Sequence, residues 1–347
     1  MKSHFAIPAA TLSCLLVIAA ALSTKVFAQE LPMAEMSPSD PDRKAPPQAN
    51  FNWSMRTLGG RQFWTDYVIQ SKWRIQQNIY TKHFRLLSPR DTRVAAGNYS
   101  HCWAELQKNL TDGDTRPSTT RAVVVLHGLA RSRSSMESMA NYLEEHTDAL
   151  VVNYGYASTR ASLSDHAHAL NHMLSHLQGI EETSFVCHSL GNLVVRRMLD
   201  EYEPPSSMHF SRMVMLGPPN LGAQLARRFR KNILLNLVWG PSGKQLAKTW
   251  DETEPHLATP YFEFGVLAGG GDGKLSNPLV QGEDDLIVSV EETRLPGAND
   301  YRRVNAYHTW IMSDETVQEL TLNFLNHGYF ESEGTRDPIP TKPEEKP

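Results

Sequence analysis

Short apolar runs alternate with amphipathic stretches along most of the chain. Ala122–Leu126 (AVVVL), Ala149–Asn153 (ALVVN), Thr183–Cys187 (TSFVC), Arg212–Leu216 (RMVML), Phe262–Ala268 (FEFGVLA) and Arg303–Ala306 read as strands. Between them Ser135–Glu145, Leu163–Leu177, Leu190–Tyr202 and Glu315–Asn326 carry helical spacing. This alternation predicts an α/β fold, a mostly parallel sheet with helices on both faces. In such sheets ligands bind beyond the carboxyl ends of the strands.

The earlier stretch, Phe51–Leu106, lacks that rhythm. Trp53, Phe63, Trp64, Tyr67, Trp73 and Tyr80 crowd it, and we read Gly60–Tyr80 as an aromatic-rich helix docked on the core. Thr81–Leu87 reads as an early strand of the sheet.

The ends have a different character. Met1, Lys2 and His4 precede an apolar run of 14 residues, Ala9–Leu22, and then Val26-Phe27-Ala28. A basic start, an apolar middle and small residues before a cleavage point form an export signal. The run is short for a membrane span, which takes roughly 20 residues. Residues 1–28 are therefore expected to be a signal peptide, and the protein to be exported, periplasmic or secreted. Residues 29–50 are rich in Pro, Ser, Asp and Gln and read as a disordered linker. Residues 331–347 read as a disordered tail, which leaves 51–330 as the folded domain.

Net charge is −4 and the basic residues are scattered, so there is no electrostatic footprint for nucleic acid. Past the signal only Cys102 and Cys187 remain. Export permits a bridge between them, but two cysteines make no disulfide framework.

Chemistry concentrates where strands end. Cys187-His188-Ser189-Leu190-Gly191 follows the TSFVC strand and opens a helix. It resembles the nucleophile elbow, G-x-S-x-G, with Cys in the first glycine position. Small residues flank the serine because strand and helix approach closely at the turn. The turn lifts the Ser189 hydroxyl above the sheet and leaves the Leu190 N–H at a helix N-terminus, where donors are free and anions are stabilised. Upstream, the AVVVL strand runs into His127-Gly128-Leu129. The Leu129 N–H is the expected second oxyanion donor, and the His127 side chain is expected only to buttress the loop.

A serine hydroxyl needs a base. Of 14 histidines, His308 follows the last expected strand and precedes the last long helix. For the acid, Gly282-Glu283-Asp284-Asp285-Leu286-Ile287-Val288 lies after the FEFGVLA strand. The order Ser, acid, His fits this fold. Asp285 is the first choice, Asp284 the second and Asp272 the third.

His168, His172 and His176 fall at i, i+4, i+8, a spacing some metal sites use. The apolar positions of that helix lie opposite, so we read the histidines as a solvated face.

With HGLARS, CHSLG, MLGPPN, EDDLIVSVEETRL and YHTWIM in order, Val123–Phe330 resembles α/β-hydrolases of the triacylglycerol lipase and esterase type, including exported bacterial members. The resemblance implies a triad of Ser189, Asp285 and His308, with Leu129 and Leu190 as backbone oxyanion donors. It implies hydrolysis of carboxylic esters, including lipid acyl esters met at a lipid surface, with no cofactor and no metal. An acyltransferase or a thioesterase would use the same residues, and a non-catalytic binding protein of this fold would lack one of them. Leu221–Pro260 interrupts the alternation with Arg227, Arg228, Arg230 and Lys231 and then Ile233–Trp239. It reads either as a lid over an acyl pocket or as a permanently packed helix.

Overall fold

The computed structural model describes residues 61–110, 118–222, 240–245, 249–270, 285 and 287–341. The expected signal peptide and linker, Asp272, Asp284 and the basic-apolar stretch 223–239 lie outside them.

Six strands form one sheet: β5 (Arg121–Leu126), β6 (Leu150–Tyr154), β7 (Glu182–His188), β8 (His209–Leu216), β9 (Glu263–Gly269) and β10 (Asp300–Val304). Their order is β10-β9-β8-β7-β5-β6, and every neighbouring pair is parallel. The central runs are largely apolar because both faces are covered, and successive side chains feed opposite cores. Val124 and Leu126 of β5, Phe185 and Cys187 of β7, and Met213 and Met215 of β8 enter one core. Val123 and Val125, Val186, and Val214 and Leu216 enter the other.

Helices close each face by the same logic. In α3 (Leu163–Leu174), Leu163, Ala167, Leu170 and Leu174 pack on the first core, beside Leu190, Leu193 and Val194 of α4 (Leu190–Glu201). In α2 (Glu137–His146) and α5 (Glu315–His327), Met139, Leu143, Val317 and Phe324 fill the second. A Ser162–Asp165 capping box starts α3, and Gly328 in the left-handed region ends α5.

The segment before the parallel sheet corrects our reading. The described part of Gly60–Tyr80 is no α-helix. It forms a hairpin of β1 (Trp64–Gln70) and β2 (Trp73–Asn78). The strand expected at Thr81–Leu87 is β3 (Phe84–Leu87), which joins β2 and β4 (Arg93–Gly97) in a separate four-stranded antiparallel sheet. Aromatic and β-branched residues favour strands, and Ser71-Lys72 turns the chain with both φ values positive, a two-residue primed turn. A third, smaller core of Val68, Ile75, Leu86, Ala95, Cys102 and Leu106 lies under α1 (Tyr99–Asn109).

This sheet docks on α3 and overturns the solvated-histidine reading. His168 is exposed, but the His172 ring stacks on Tyr67 at 3.6 Å and on His176 at 4.4 Å. His172 Nδ1–H donates to the Tyr67 carbonyl at 3.0 Å. Burial pulls the His172 pKa below its ordinary value. Two of the three histidines are thus packing residues between layers.

Part of the stretch read as a tail is docked. Ile339 N–H donates to Ala298 O at 3.0 Å, Gly297 N–H donates back to Ile339 O at 2.8 Å, and the Ile339 side chain packs on the first core. Within 221–260, the described residues are docked. Residues 240–245 are helical, and buried Ser242 donates to Ala161 O at 2.8 Å. Arg196 of α4 donates to the carbonyls of Leu257 and Ala258, each at 2.9 Å. Cys102 and Cys187 are both free and buried.

Candidate active site

Ser189 sits between the end of β7 and the start of α4 with φ 51° and ψ −117°. A non-glycine residue in that region is costly, of order 1–3 kcal/mol, and such strain clusters at functional sites. The neighbours explain how the turn is built. A Cβ on Gly191 would stand 2.9 Å from Leu126 Cβ and 3.0 Å from the carbonyl oxygens of both Leu126 and His127. Helix α4 therefore starts directly against the end of β5. Cys187, two residues before the serine, is fully buried in the first core. A thiol is small enough there, and burial raises its pKa well above the ordinary range, so it stays protonated and inert.

The HG loop closes on the same turn. A Cβ on Gly128 would approach Ser189 Cβ to 3.1 Å and His188 Nδ1 to 2.9 Å. Behind it, His127 is held on all sides. Its Nδ1–H donates to Gly128 O at 2.9 Å, its Nε2 accepts from Tyr156 N–H at 3.4 Å, and its ring stacks on Tyr156 at 4.2 Å. The Tyr156 hydroxyl donates to His127 O at 2.6 Å. Burial lowers the His127 pKa to about 4. It is a neutral brace for the loop backbone. Neither the Leu129 nor the Leu190 N–H donates to a protein acceptor among the described residues.

Asp285 and His308 meet. His308 Nδ1–H donates to Asp285 Oδ2 at 2.7 Å, with both residues buried. The other carboxylate oxygen, Oδ1, accepts the N–H groups of Ile287 at 3.1 Å and Val288 at 2.7 Å. The backbones are also tied, His308 N–H to Asp285 O at 3.0 Å. The pair touches the serine's surroundings through Gly217. A Cβ there would stand 3.0 Å from His308 Nδ1 and 3.2 Å from Asp285 Oδ2. The preceding Leu216 carbonyl accepts the Ser189 N–H at 2.9 Å. Gly217 takes φ +52° and leaves room that any side chain would fill.

One contributor was not read from the sequence. His188 Nε2–H donates to the His308 carbonyl at 3.0 Å, and the two rings lie 4.7 Å apart. Burial, reinforced by His308, drives the His188 pKa well below its ordinary value. His188 thus holds the His308 backbone while remaining neutral. Its position just before the serine was visible; its long-range partner was not.

The comparisons add context. A family model described as a domain of unknown function, DUF7379, matches residues 90–248. No curated protein matches the chain. Among solved structures, a Bacillus licheniformis lipase, BlEst2, in its propeptide form aligns at 20% identity and TM-score 0.49, covering 65% of this chain and 53% of that one. The chain thus spans about half the length of that protein. A Listeria innocua protein, the lin2722 gene product, aligns at 17% identity and TM-score 0.45, covering 65% and 99%. Phospholipase PlaB from Legionella pneumophila aligns at 19% identity and TM-score 0.40, covering 50% and 46%. These likenesses are distant, and the fold rests on the chain's own architecture. A parallel sheet covered on both faces, with a positive-φ serine between a central strand and its helix and a carboxylate–histidine pair after later strands, makes this an α/β-hydrolase fold.

Proposed function

We propose that the chain is a serine hydrolase that cleaves carboxylic esters through an acyl-enzyme on Ser189. The observation that carries this reading is the buried Asp285–His308 hydrogen bond of 2.7 Å beside the positive-φ turn that presents Ser189. Asp285 fixes the proton on His308 Nδ1, which leaves Nε2 as the base. Nε2 takes the Ser189 hydroxyl proton as Oγ attacks the ester carbonyl. The Leu129 and Leu190 N–H groups stabilise the oxyanion. His308 returns the proton to the departing alcohol, and the same nitrogen then activates water to release the acid. Each oxyanion donor contributes about 3 kcal/mol to such a transition state. The favoured substrate is a lipid acyl ester, which the sequence resemblance supports. Export through residues 1–28 belongs to the same proposal and rests on the signal pattern. The test is hydrolysis of p-nitrophenyl esters of increasing acyl length. Turnover above buffer that disappears in Ser189→Ala supports the reading. No turnover for any chain length, or equal turnover by Ser189→Ala, overturns it.

A further inference from the structure

A half-open cavity of about 1040 Å³ lies between the antiparallel sheet and β6, the edge strand of the parallel sheet. It exceeds the usual 300–1,000 Å³ of small-molecule sites. Its inner wall is cationic and buried. Arg74 and Arg85 are each 8% exposed, and both line it.

The two arginines differ in how they are paired. Asp66, fully buried, accepts Arg74 Nη1–H at 2.5 Å and Gly155 N–H at 2.7 Å on Oδ2, and Gln76 Nε2–H at 2.7 Å on Oδ1. That carboxylate accepts three hydrogen bonds. Arg133 pairs with Asp91, Lys72 with Glu144, and Asp148 with Arg121. Glu137 is exposed at the rim. Arg85 has no carboxylate partner among the described residues. Its Nε and Nη2 both donate to the neutral Gln76 Oε1, at 2.9 and 2.7 Å. Its Cζ lies 4.0 Å from the Trp64 ring centroid.

The end of that guanidinium, Nη1 with the second hydrogen of Nη2, donates to no protein group among the described residues. A buried cation set over an aromatic ring, with its two-pronged end free of described protein acceptors beside a cavity, suits an oxyanion. Carboxylate and phosphate groups accept such paired donors. Burial first, with Arg93 and Arg133 nearby, depresses the Arg85 pKa to about 10 against the opposing pull of Asp66 and Asp91, a cost that a bound anion would offset.

We infer that this cavity binds the carboxylate or phosphate group of a small molecule, with Arg85 as its principal donor and Arg74 alongside. The far wall includes His127 and Tyr156, so an occupant would lie behind the oxyanion loop and not at Ser189.

The test uses the full protein titrated with inorganic phosphate and with acetate, at constant ionic strength against chloride. Trp64 fluorescence and the melting temperature are read together. Saturable change with phosphate, acetate or both supports the site, and the anion that saturates names the group. The fluorescence change should vanish in Trp64→Phe. Binding should weaken about tenfold or more in Arg85→Met, the loss expected for a charged hydrogen-bonded pair. Arg85→Lys should recover part of it. A merely structural Arg85 would lower the melting temperature in Arg85→Met without changing its response to anions. Identical responses in wild type and Arg85→Met, a response reproduced by chloride, or no saturable change in the wild-type protein would each overturn the inference. The wild-type titration decides the matter even where an arginine variant fails to fold.

Discussion

Replacing Asp285 by Asn separates catalytic geometry from stability. The carboxylate has two jobs, divided between its oxygens. Oδ1 accepts two backbone N–H groups of its own loop, and Oδ2 accepts His308 Nδ1–H. Asparagine keeps an oxygen for the loop and presents an NH₂ group to Nδ1. His308 Nδ1 must then become the acceptor, and its proton moves to Nε2, the nitrogen needed as base. In a serine–histidine–aspartate triad the wrong tautomer lowers kcat by about 10⁴-fold, or roughly 5 kcal/mol. The loop bonds survive, so stability should change by no more than about 1.5 kcal/mol. Asp285→Ala behaves differently. It strands two buried N–H groups, at about 1–3 kcal/mol each, so both stability and kcat fall. Ester turnover measured with urea unfolding of each variant reads the two effects apart. Asp285→Asn retaining kcat within tenfold of wild type would refute the reasoning and shift the role to a neighbouring acid such as Asp284.

Three further outcomes follow from the same packing. Gly191→Ala puts a methyl group 3.0 Å from two carbonyl oxygens; relief moves the start of α4, costing about 1–3 kcal/mol of stability and weakening the Leu190 donor, and an unchanged melting temperature with unchanged kcat would contradict it. His127 and His166 are buried neutral, with burial lowering their pKa values from 6.5 to about 4 and about 3. Below about pH 6.5 the unfolded chain takes up protons that the folded chain refuses, so stability falls on acidification, by about 1.4 kcal/mol per pH unit for each histidine down to its folded pKa. His166→Phe should remove one proton's share of that slope in urea unfolding between pH 4.5 and 6.5, and an unchanged slope would count against it. Because Cys102 and Cys187 are free and buried, adding reductant should leave the melting temperature unchanged; a fall would reveal a bridge.

The parallel sheet was legible because its central strands are largely buried on both faces, and AVVVL, FVC and MVML are unbroken apolar runs. The candidate site residues could be picked out because each follows such a strand, Ser189 and His308 closely and Asp285 after a longer connection. Ser189 follows β7, Asp285 follows β9 and His308 follows β10. The β1–β2 hairpin was not legible, since its turn is Ser71-Lys72 and not the Asn-Gly or Asp-Gly pair that marks such turns. Its aromatic residues then passed for a helix. The inward polar residues Asp66, Arg74, Gln76 and Arg85 hid the pattern further, because they satisfy one another only once β1, β2 and β3 are paired. The histidine stripe misled for a related reason. Helical spacing defines a face, but only the docked antiparallel sheet says what covers it. Residues near Ile339 likewise look like tail until the backbone bonds to Gly297 and Ala298 are seen.

The central claim is that Ser189 is the nucleophile, and an active-site-directed fluorophosphonate reads it without knowledge of the substrate. Intact-protein mass spectrometry should show a single adduct on the wild-type chain, peptide mapping should place it on Ser189, and Ser189→Ala should show none. An unlabelled wild-type protein, or an adduct that survives Ser189→Ala, would contradict the account.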